Sequence, residues 1–368
     1  MFREKPVLTG IPAFALENPE GLCYVRQTSQ NHERKGFSHL GAPVGGAERM
    51  VPIASIDLGT HTARLLVARP TGNDSEFEPL VRKRTVIRLA QGIDREDGGP
   101  LCEEAMARAL EALGQFSRIV RRLEGEIVQA VCTGVVRTAA NRDLFLRRVA
   151  QETGVQARAI TGEEEAVFTQ KGVLASLGKP EGAFILFDLG GGSTEFVYRT
   201  NCGEQGVAIR SLPLGALLLK EAFLRNDPPR EEELQALSAR IDAVLMEGLP
   251  RRDDFSATPH LIGTGGTAAT LAAMARGIGT ESIAPERMNG LAVSREVLGS
   301  LFDRIIHLPV LRRRDLPGLD PGRADVLPAG ALAVLRIMHH FEVLELTVCL
   351  SDILEGLLID YLEEDCHG

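Results

Sequence analysis

The sequence predicts an α/β fold of two similar lobes that face each other across a cleft. A strand, an Asp-x-Gly turn and a second strand occur around Asp57, and the same three features recur in the same order around Asp188. The chain has 368 residues, which is enough for two domains at roughly 100–200 residues each. A duplicated strand–turn–strand unit in a chain of this length indicates two lobes of related fold.

The first lobe is predicted to span residues 50–172. Its expected strands are short apolar runs between turn signals, at 53–56, 64–68, 77–89 (a strand pair), 127–132 and 155–160. Its expected helices lie at 106–123, 142–153 and 161–177. Apolar residues recur every three or four positions in the first helix, and Thr161 with Glu164 forms a capping-box pair at the start of the third. The strands and helices alternate, as in an α/β domain.

The second lobe is predicted to span residues 173–368. Strands are expected at 183–187, 196–198 and 260–262, and helices after 268, at 329–340 and at 351–362. The last helix is a candidate to pack back on the first lobe. The three strands lie next to glycine-rich turns, and the remainder of the lobe is rich in helix.

Residues 1–49 differ from the rest of the chain. They are polar, are punctuated by Gly, Pro and Asn, and show no sustained helical or strand period. We expect a flexible N-terminal extension. Met50 directly precedes the first strand, so two interpretations stay open: a genuine tail, or a protein whose translation begins at Met50.

Composition and charge narrow the classes of function. The chain is 44% hydrophobic and 25% charged, as in ordinary globular proteins. Its 41 basic and 50 acidic side chains give a net charge of −9, so we expect neither nucleic acid nor a membrane as a partner. The six cysteines show no metal or redox spacing, and neither a secretion signal nor a membrane span is evident. The expected location is the cytoplasm.

Three glycine turns are candidates for binding phosphate. Glycine lets backbone N–H groups approach an anion closely, and neighbouring hydroxyls add donors. The candidate residues are Gly59, Thr60, His61, Thr62, Gly190, Gly191, Gly192, Ser193, Thr194, Gly265, Gly266 and Thr267. Asp57 and Asp188, at strand ends, are placed to hold a hard cation. Each turn could also be a plain hairpin whose Asp caps it, but the matching order of two turns and the presence of a third favour a binding site.

The acidic run Glu163, Glu164 and Glu165 has two interpretations. Carboxylates in the first turn of a helix complement its dipole, and Glu164 completes the capping box. Alternatively, one of the three is a general base, and the spacing does not say which. Arg137 likewise is either a surface ion-pair partner or a planar donor for phosphate.

Five blocks resemble the exopolyphosphatase/guanosine pentaphosphate phosphatase family. They lie at 56–62, 137–143, 160–166, 187–195 and 263–267, and shorter matches follow at 317–325 and 350–352. The resemblance covers essentially all of 51–362, in the order of the family. It implies two actin-like lobes of the ribonuclease-H type, shared with sugar kinases and Hsp70 ATPases, around a cleft. The chain resembles a short, two-domain member of that family.

The resemblance also implies an activity, namely hydrolysis of a terminal phosphoanhydride by an activated water. The role of general base then falls on Glu165, and Arg137 matches a phosphate ligand. The metal-binding acids match Asp188 and Glu195, with Asp57 opposite them, and the implied cofactor is Mg²⁺ or Mn²⁺.

The expected substrate is inorganic polyphosphate, and the alternative is guanosine pentaphosphate (pppGpp). A sugar kinase or ATPase of the same fold and a non-enzymatic nucleotide sensor are further alternatives, and a homodimer is left open. Three positions depart from the family pattern. His61 stands where the family often has an asparagine, Thr138 where it often has an acid, and Leu218 where it often has an arginine. Loss of the cation at 218 would weaken the hold on substrate or shift the preferred chain length.

Overall fold

The computed structural model describes residues 23–25, 50–72, 76–91, 99–200 and 207–365. The strands are β1 (Cys23–Val25), β2 (Ile53–Leu58), β3 (Thr62–Pro70), β4 (Phe77–Val86), β5 (Glu126–Cys132), β6 (Arg158–Ala159), β7 (Phe184–Leu189), β8 (Thr194–Arg199), β9 (Ala208–Leu212), β10 (His260–Thr264), β11 (Leu291–Ser294) and β12 (Glu345–Val348). The helices are α1 (Glu103–Arg122), α2 (Val135–Thr138), α3 (Arg142–Thr153), α4 (Gly162–Leu177), α5 (Ala216–Phe223), α6 (Glu231–Gly248), α7 (Gly265–Arg276), α8 (Pro285–Met288), α9 (Arg295–Ile306), α10 (Val310–Arg313), α11 (Leu327–His340) and α12 (Ile353–Asp365).

The strands form two six-stranded sheets, and five strands of each share the same topology. The first has the order β1-β4-β3-β2-β5-β6 and the second the order β11-β12-β10-β7-β8-β9. In each, three consecutive strands pair antiparallel, and the first of them continues into parallel neighbours, β5 and β6 in one lobe and β10 and β12 in the other. The predicted duplication, and with it the two-lobe actin-like fold, is confirmed.

Helices cover both faces of the first sheet. All six residues of β2 are buried, which explains why the strand is a continuous apolar run. Phe116 and other apolar residues of α1 form the core on one face. On the other face, Leu354 and Leu358 of α12 pack with Ile53 and Leu66. The last helix of the chain therefore lies on the sheet of the first lobe.

Helices α4 and α12 cross at very short range. A Cβ on Gly172 would collide with the carbonyl of Asp352, and a Cβ on Gly356 would collide with the carbonyl of Phe168. α4 also packs on β8 and β9 of the second sheet. The predicted lobe boundary at 172/173 falls inside this helix, so α4 is shared between the lobes rather than ending the first one.

Two further expectations differ from the structure. The predicted strand pair at 77–89 is a single strand, β4, in which Pro79 lies beside a register shift against β3. Proline is tolerated at such an irregularity, so it did not break the strand. Of the predicted flexible extension at 1–49, Cys23–Val25 forms an edge strand that pairs with β4, and the rest lies outside the described residues.

No helix in the described part of the chain is long and apolar enough to span a bilayer.

Candidate active site

The turns of the two repeated units meet between the lobes. A Cβ on Gly191 would lie 3.0 Å from the Cβ of His61, and a Cβ on Gly192 would lie 2.6 Å from Oγ1 of Thr60. Any side chain at either glycine would push into the opposite turn. Backbone N–H groups of Leu217 and Leu218, at the start of α5, donate to the carbonyl of Gly191 and hold the second turn in place. The two turns that the sequence singles out thus lie face to face.

The third glycine turn joins them at the N-terminus of α7. Gly265 has a φ of +85°, a conformation that favours glycine. A Cβ there would lie 2.5 Å from Oδ1 of Asp188, and a Cβ on Gly266 would collide with the guanidinium of Arg323. Glycine therefore lets the carboxylate of Asp188 and the guanidinium of Arg323 approach the backbone of this turn closely.

The three turns enclose a cavity of about 70 Å³, which we call the catalytic cavity. The predicted residues that line it are Asp57, Gly59, Thr60, His61, Thr62, Glu165, Asp188, Gly190, Gly191, Gly192, Ser193, Gly265, Gly266 and Thr267. Thr194 does not line it, because its hydroxyl donates to the carbonyl of Leu214 in the core of the second lobe (3.0 Å). The catalytic cavity has the glycines and hydroxyls of an anion site together with three carboxylates, those of Asp57, Glu165 and Asp188.

Only one residue of the acidic run faces this cavity. Glu164 is used by the capping box, since its carboxylate accepts from the backbone N–H of Thr161 (2.8 Å) while its own N–H donates to the hydroxyl of Thr161 (3.1 Å). Glu163 is exposed. The side chain of Glu165 is only 12% exposed and lines the catalytic cavity. The structure thus separates three neighbours that the sequence leaves equivalent.

Arg137 lies behind Glu165 rather than in the cavity. Its Nη1 donates to Oε2 of Glu165 (3.1 Å), and its Nη2 is 3.8 Å from Oε1 of Glu195. The hydroxyl of Ser211 donates to the same oxygen of Glu195 (2.8 Å). Burial raises the pKa of Glu165 well above its usual range, the carboxylates of Glu195 and Asp57 raise it further, and Arg137 opposes them. Arg137 thus stabilises the ionised form of Glu165.

Asp57 is held by its neighbours. Both Nε and Nη2 of Arg64 donate to Oδ2 of Asp57 (2.9 and 2.8 Å), and the hydroxyl of Thr133 donates to Oδ1 (3.2 Å). The other terminal nitrogen of Arg64 pairs with Asp352. Burial raises the pKa of Asp57 and the charge of Arg64 counteracts it. A guanidinium therefore already neutralises this carboxylate.

The surroundings of Asp188 are unfavourable for a negative charge. Burial raises its pKa to about 8, the carboxylates of Asp352, Glu195 and Asp57 add to the effect, and Arg64 counteracts it. A divalent cation in the catalytic cavity beside Asp188 would relieve this repulsion.

The predicted metal ligands do not form a preformed centre. Among the described residues, no group of three or more His, Cys, Asp or Glu side chains could hold a metal ion. Mg²⁺ is usually bound by one or two carboxylates, water and substrate phosphates. Asp188 fits that kind of site, whereas Asp57 and Glu195 are engaged with protein donors.

His61 differs from the predicted phosphate donor. Its Nε2–H donates to the carbonyl of Gly322 (3.3 Å), and its Nδ1 is buried. Burial lowers its pKa to about 4, and the charge of Arg323 adds to the effect, so the ring is neutral at neutral pH. His61 therefore adds no charge to the site and links the first turn to the segment that carries Arg323.

Sequence reasoning missed two cations of the cavity, Arg64 and Arg323. Arg64 lies directly opposite Asp57 in the β2–β3 pair, so the hairpin register was a usable signal. Arg323 is the last residue of a short 3₁₀ turn (Pro321–Arg323), and the motif match at 317–325 that contains it was a usable signal. Burial lowers the pKa of Arg323 to about 10, and the nearby charge of Arg64 lowers it too, so it is charged at neutral pH.

Two lobes that close three glycine turns, two arginines and a buried glutamate around one cavity define an actin-like phosphohydrolase. The sequence model of the Ppx/GppA phosphatase family matches residues 66–365, and the chain belongs to that family. The resemblance found in the sequence motifs is confirmed.

Relatives and solved structures agree with this assignment. Exopolyphosphatase 2 of Mycobacterium tuberculosis is 31% identical over 319 residues, which are 83% of this chain and 97% of the relative. A guanosine-5'-triphosphate,3'-diphosphate pyrophosphatase of Vibrio campbellii is 27% identical over 84% of this chain and 59% of its own. An exopolyphosphatase structure from Cytophaga hutchinsonii has a TM-score of 0.75 at 26% identity, covering 85% of this chain and 98% of its own. An Aquifex aeolicus Ppx/GppA structure has a TM-score of 0.69 at 28% identity, covering 86% and 99%.

Proposed function

We propose that the chain is an exopolyphosphatase that removes the terminal phosphate of inorganic polyphosphate by in-line attack of water. One observation carries the proposal: of three consecutive glutamates, only Glu165 faces the cavity that the glycine turns enclose. The relative named exopolyphosphatase 2, which matches over nearly its whole length, supports polyphosphate as the substrate.

Each residue of the catalytic cavity has a separate role in such a reaction. Glu165 takes a proton from water, whose oxygen forms a bond to the terminal phosphorus while the anhydride P–O bond breaks. The electron pair of that bond leaves with the shortened chain. N–H groups of the glycine turns and the guanidinium of Arg323 stabilise charge on the transferred phosphoryl group. Arg137 favours the ionised form of Glu165 and orients its carboxylate through a hydrogen bond.

We propose Mg²⁺ or Mn²⁺ as the cofactor, with Asp188 as the residue that would hold it. Glu195 and Asp57 are nearby carboxylates that would act through water, since both already accept hydrogen bonds from protein donors. When bound, the ion neutralises charge on the phosphate oxygens.

A second candidate substrate is pppGpp, and a specific feature of the cleft favours it. A second cavity, of about 170 Å³, adjoins the catalytic cavity and shares Arg323 and Gly266 with it. Part of its wall is apolar, from Ile283, Pro285 and Leu350. Such a wall would suit a nucleobase.

Phosphate release from the purified protein, with Mg²⁺, tests both candidates. We expect release from polyphosphate at a higher kcat/KM than from pppGpp. A preference for pppGpp would favour the second candidate. Release from neither, together with ATP consumption that requires a sugar acceptor, would refute both and favour a kinase.

A further inference from the structure

We propose that Asp320 is a specificity-determining residue that restricts the enzyme to short polyphosphate chains. The inference rests on the proposed function, because it concerns the path that a polyphosphate takes out of the catalytic cavity. It is carried by the contacts of Asp320 in the second cavity.

The second cavity is the continuation available to a chain whose end lies beside Glu165. It shares Arg64, Gly265, Gly266 and Arg323 with the catalytic cavity. Five cationic residues line it, namely Arg64, Arg82, Lys83, Arg84 and Arg323. A run of cations that begins at the catalytic cavity attracts an anionic chain.

Three of these cations are already paired with carboxylates of the protein. Arg64 pairs with Asp352, Arg82 with Glu355 and Arg84 with Asp320. In addition, Oδ2 of Asp320 lies 3.8 Å from Nε of Arg323. Its carboxylate thus lies between Arg84 and Arg323, which is where a further phosphate of a long chain would find its counter-charges.

Asp320 is fixed in this position by the local backbone. Its Oδ1 accepts from the N–H of Gly322 (2.9 Å) and so caps the 3₁₀ turn. The carbonyl of Gly322 accepts from His61 of the first lobe. Two residues beyond the turn, Asp325 pairs with Arg88 (3.1 Å), which ties the same segment to the first lobe a second time. The carboxylate cannot swing away from Arg84 without loosening this segment.

Asp352 and Glu355, which pair with Arg64 and Arg82, belong to the start of a helix. Asp352 accepts from the N–H of Leu354 (3.2 Å), and Glu355 accepts from the N–H of Asp352 (2.8 Å), so both stabilise the start of α12. Asp320 is the acid that lies beside Arg323, one of the two arginines that both cavities share. A phosphate that enters the second cavity between Arg84 and Arg323 therefore meets the negative charge of Asp320.

The substitution Asp320→Asn tests this directly, because asparagine keeps an oxygen for the N–H of Gly322 and caps turns as well as aspartate does. The measured quantity is the ratio of kcat/KM for long-chain polyphosphate to kcat/KM for tripolyphosphate. We expect the ratio to rise about tenfold, since one like charge is removed from the path of the longer chain. Asp320→Ser, which also retains a capping oxygen, is the second variant if the first does not fold.

Two comparisons make the test specific. In the double variant D320N/R84Q the gain should disappear, because it depends on the guanidinium that the substitution releases. Asp242→Asn is the matched control: Asp242 pairs with Arg336 at 2.6 Å on helices α6 and α11, remote from both cavities, and should leave the ratio unchanged.

An unchanged ratio in D320N, or an equal loss on both substrates, would overturn the inference. A gain that persists in D320N/R84Q would overturn it as well. Wild-type protein that releases phosphate from neither polyphosphate would refute the proposed function instead. In that case calorimetric binding of tripolyphosphate and long-chain polyphosphate makes the same comparison between wild type and D320N without turnover.

Discussion

Arg137 contacts two glutamates, of which Glu165 lines the catalytic cavity and Glu195 does not. Its guanidinium bonds to Glu165, which faces the catalytic cavity, and lies near Glu195, which Ser211 already holds. The pKa of Glu165 is raised chiefly by burial and lowered by Arg137. A general base must be ionised, so Arg137 sets the pH at which Glu165 becomes active.

Replacing Arg137 by glutamine should therefore shift the pH profile. The raised pKa places the acid limb of kcat/KM above the ordinary range of a glutamate, and activity is lost as pH falls through it. Without the opposing positive charge, the pKa of Glu165 rises further, so the acid limb of R137Q should move to higher pH. The measurement is kcat/KM against pH with saturating Mg²⁺.

The matched control for that profile is Arg148→Gln. Arg148 lies on α3, pairs with Glu103 (2.6 Å) and Glu152 (2.7 Å), and does not line the catalytic cavity. The acid limb of the kcat/KM profile of this control variant should coincide with that of wild type. An R137Q profile that only drops in height, with the same limb, would contradict the role of Arg137 in holding Glu165 ionised.

At the residue scale, the sequence could name the glutamate run but not the functional member. Successive helical residues point about 100° apart, so Glu163, Glu164 and Glu165 face three directions. Which one meets the catalytic cavity depends on how α4 docks between the lobes, and that is a tertiary property. The family resemblance pointed to Glu165, and the geometry gives an independent reason for it.

The element that carries Glu165 is positioned by a crossing of two helices. Gly172 of α4 and Gly356 of α12 let the helix backbones touch. α12 in turn packs on the first sheet through Leu354 and Leu358. The position of Glu165, the proposed general base, thus depends on a contact between helices that are far apart in the chain.

Replacing Gly356 by alanine should destabilise the protein. The new Cβ would collide with the carbonyl of Phe168, a backbone atom that cannot rotate away. We expect a loss of about 2–4 kcal/mol in the free energy of unfolding. Denaturant unfolding measures it, and phosphate release should fall as α4 shifts.

Gly299 on α9 provides the control, because a Cβ there meets nothing within 4 Å. Gly299→Ala should stabilise the protein slightly, by about 0.5–1 kcal/mol, through helix propensity alone. Equal effects at the two glycines would show that propensity, and not the helix crossing, governs Gly356.

At the element scale, the sequence predicted the features that depend only on residues close together in the chain. The capping box at Thr161 forms, and the helix starts there. Thr194 was wrongly grouped with the phosphate ligands, because alternation along β8 turns its side chain into the core. The edge strand Cys23–Val25 had no signal of its own, since its pairing depends on the free edge of β4.

At the scale of the whole molecule, the two lobes contact each other through their glycine turns. Gly191 and Gly192 of the second lobe contact His61 and Thr60 of the first. The lobes could be predicted from the duplicated turns. Their contacts could not, because cations such as Arg323 reach the cavity from segments without a repeat.

Substituting Gly192 by alanine should impair closure of the lobes. Its Cβ would lie 2.6 Å from Oγ1 of Thr60 and force the turns apart. Displacing the reacting groups by about 1 Å can cost on the order of 10²-fold in rate, so kcat should fall by that order while the melting temperature changes little. Gly114→Ala in α1, where the nearest atom is 3.8 Å away on a flexible arginine, should leave kcat unchanged. Normal kcat in G192A would contradict closure at this contact.

The most direct measurement compares Glu165→Gln with Glu163→Gln in phosphate release and in binding of polyphosphate. Both variants remove one carboxylate from the same helical turn, but only the first removes a group that lines the catalytic cavity. The geometry predicts that E165Q loses about 10²–10⁴-fold in kcat and keeps its affinity, whereas E163Q retains wild-type turnover. An E165Q enzyme with normal turnover, or an E163Q enzyme without it, would place the base elsewhere and contradict the mechanism.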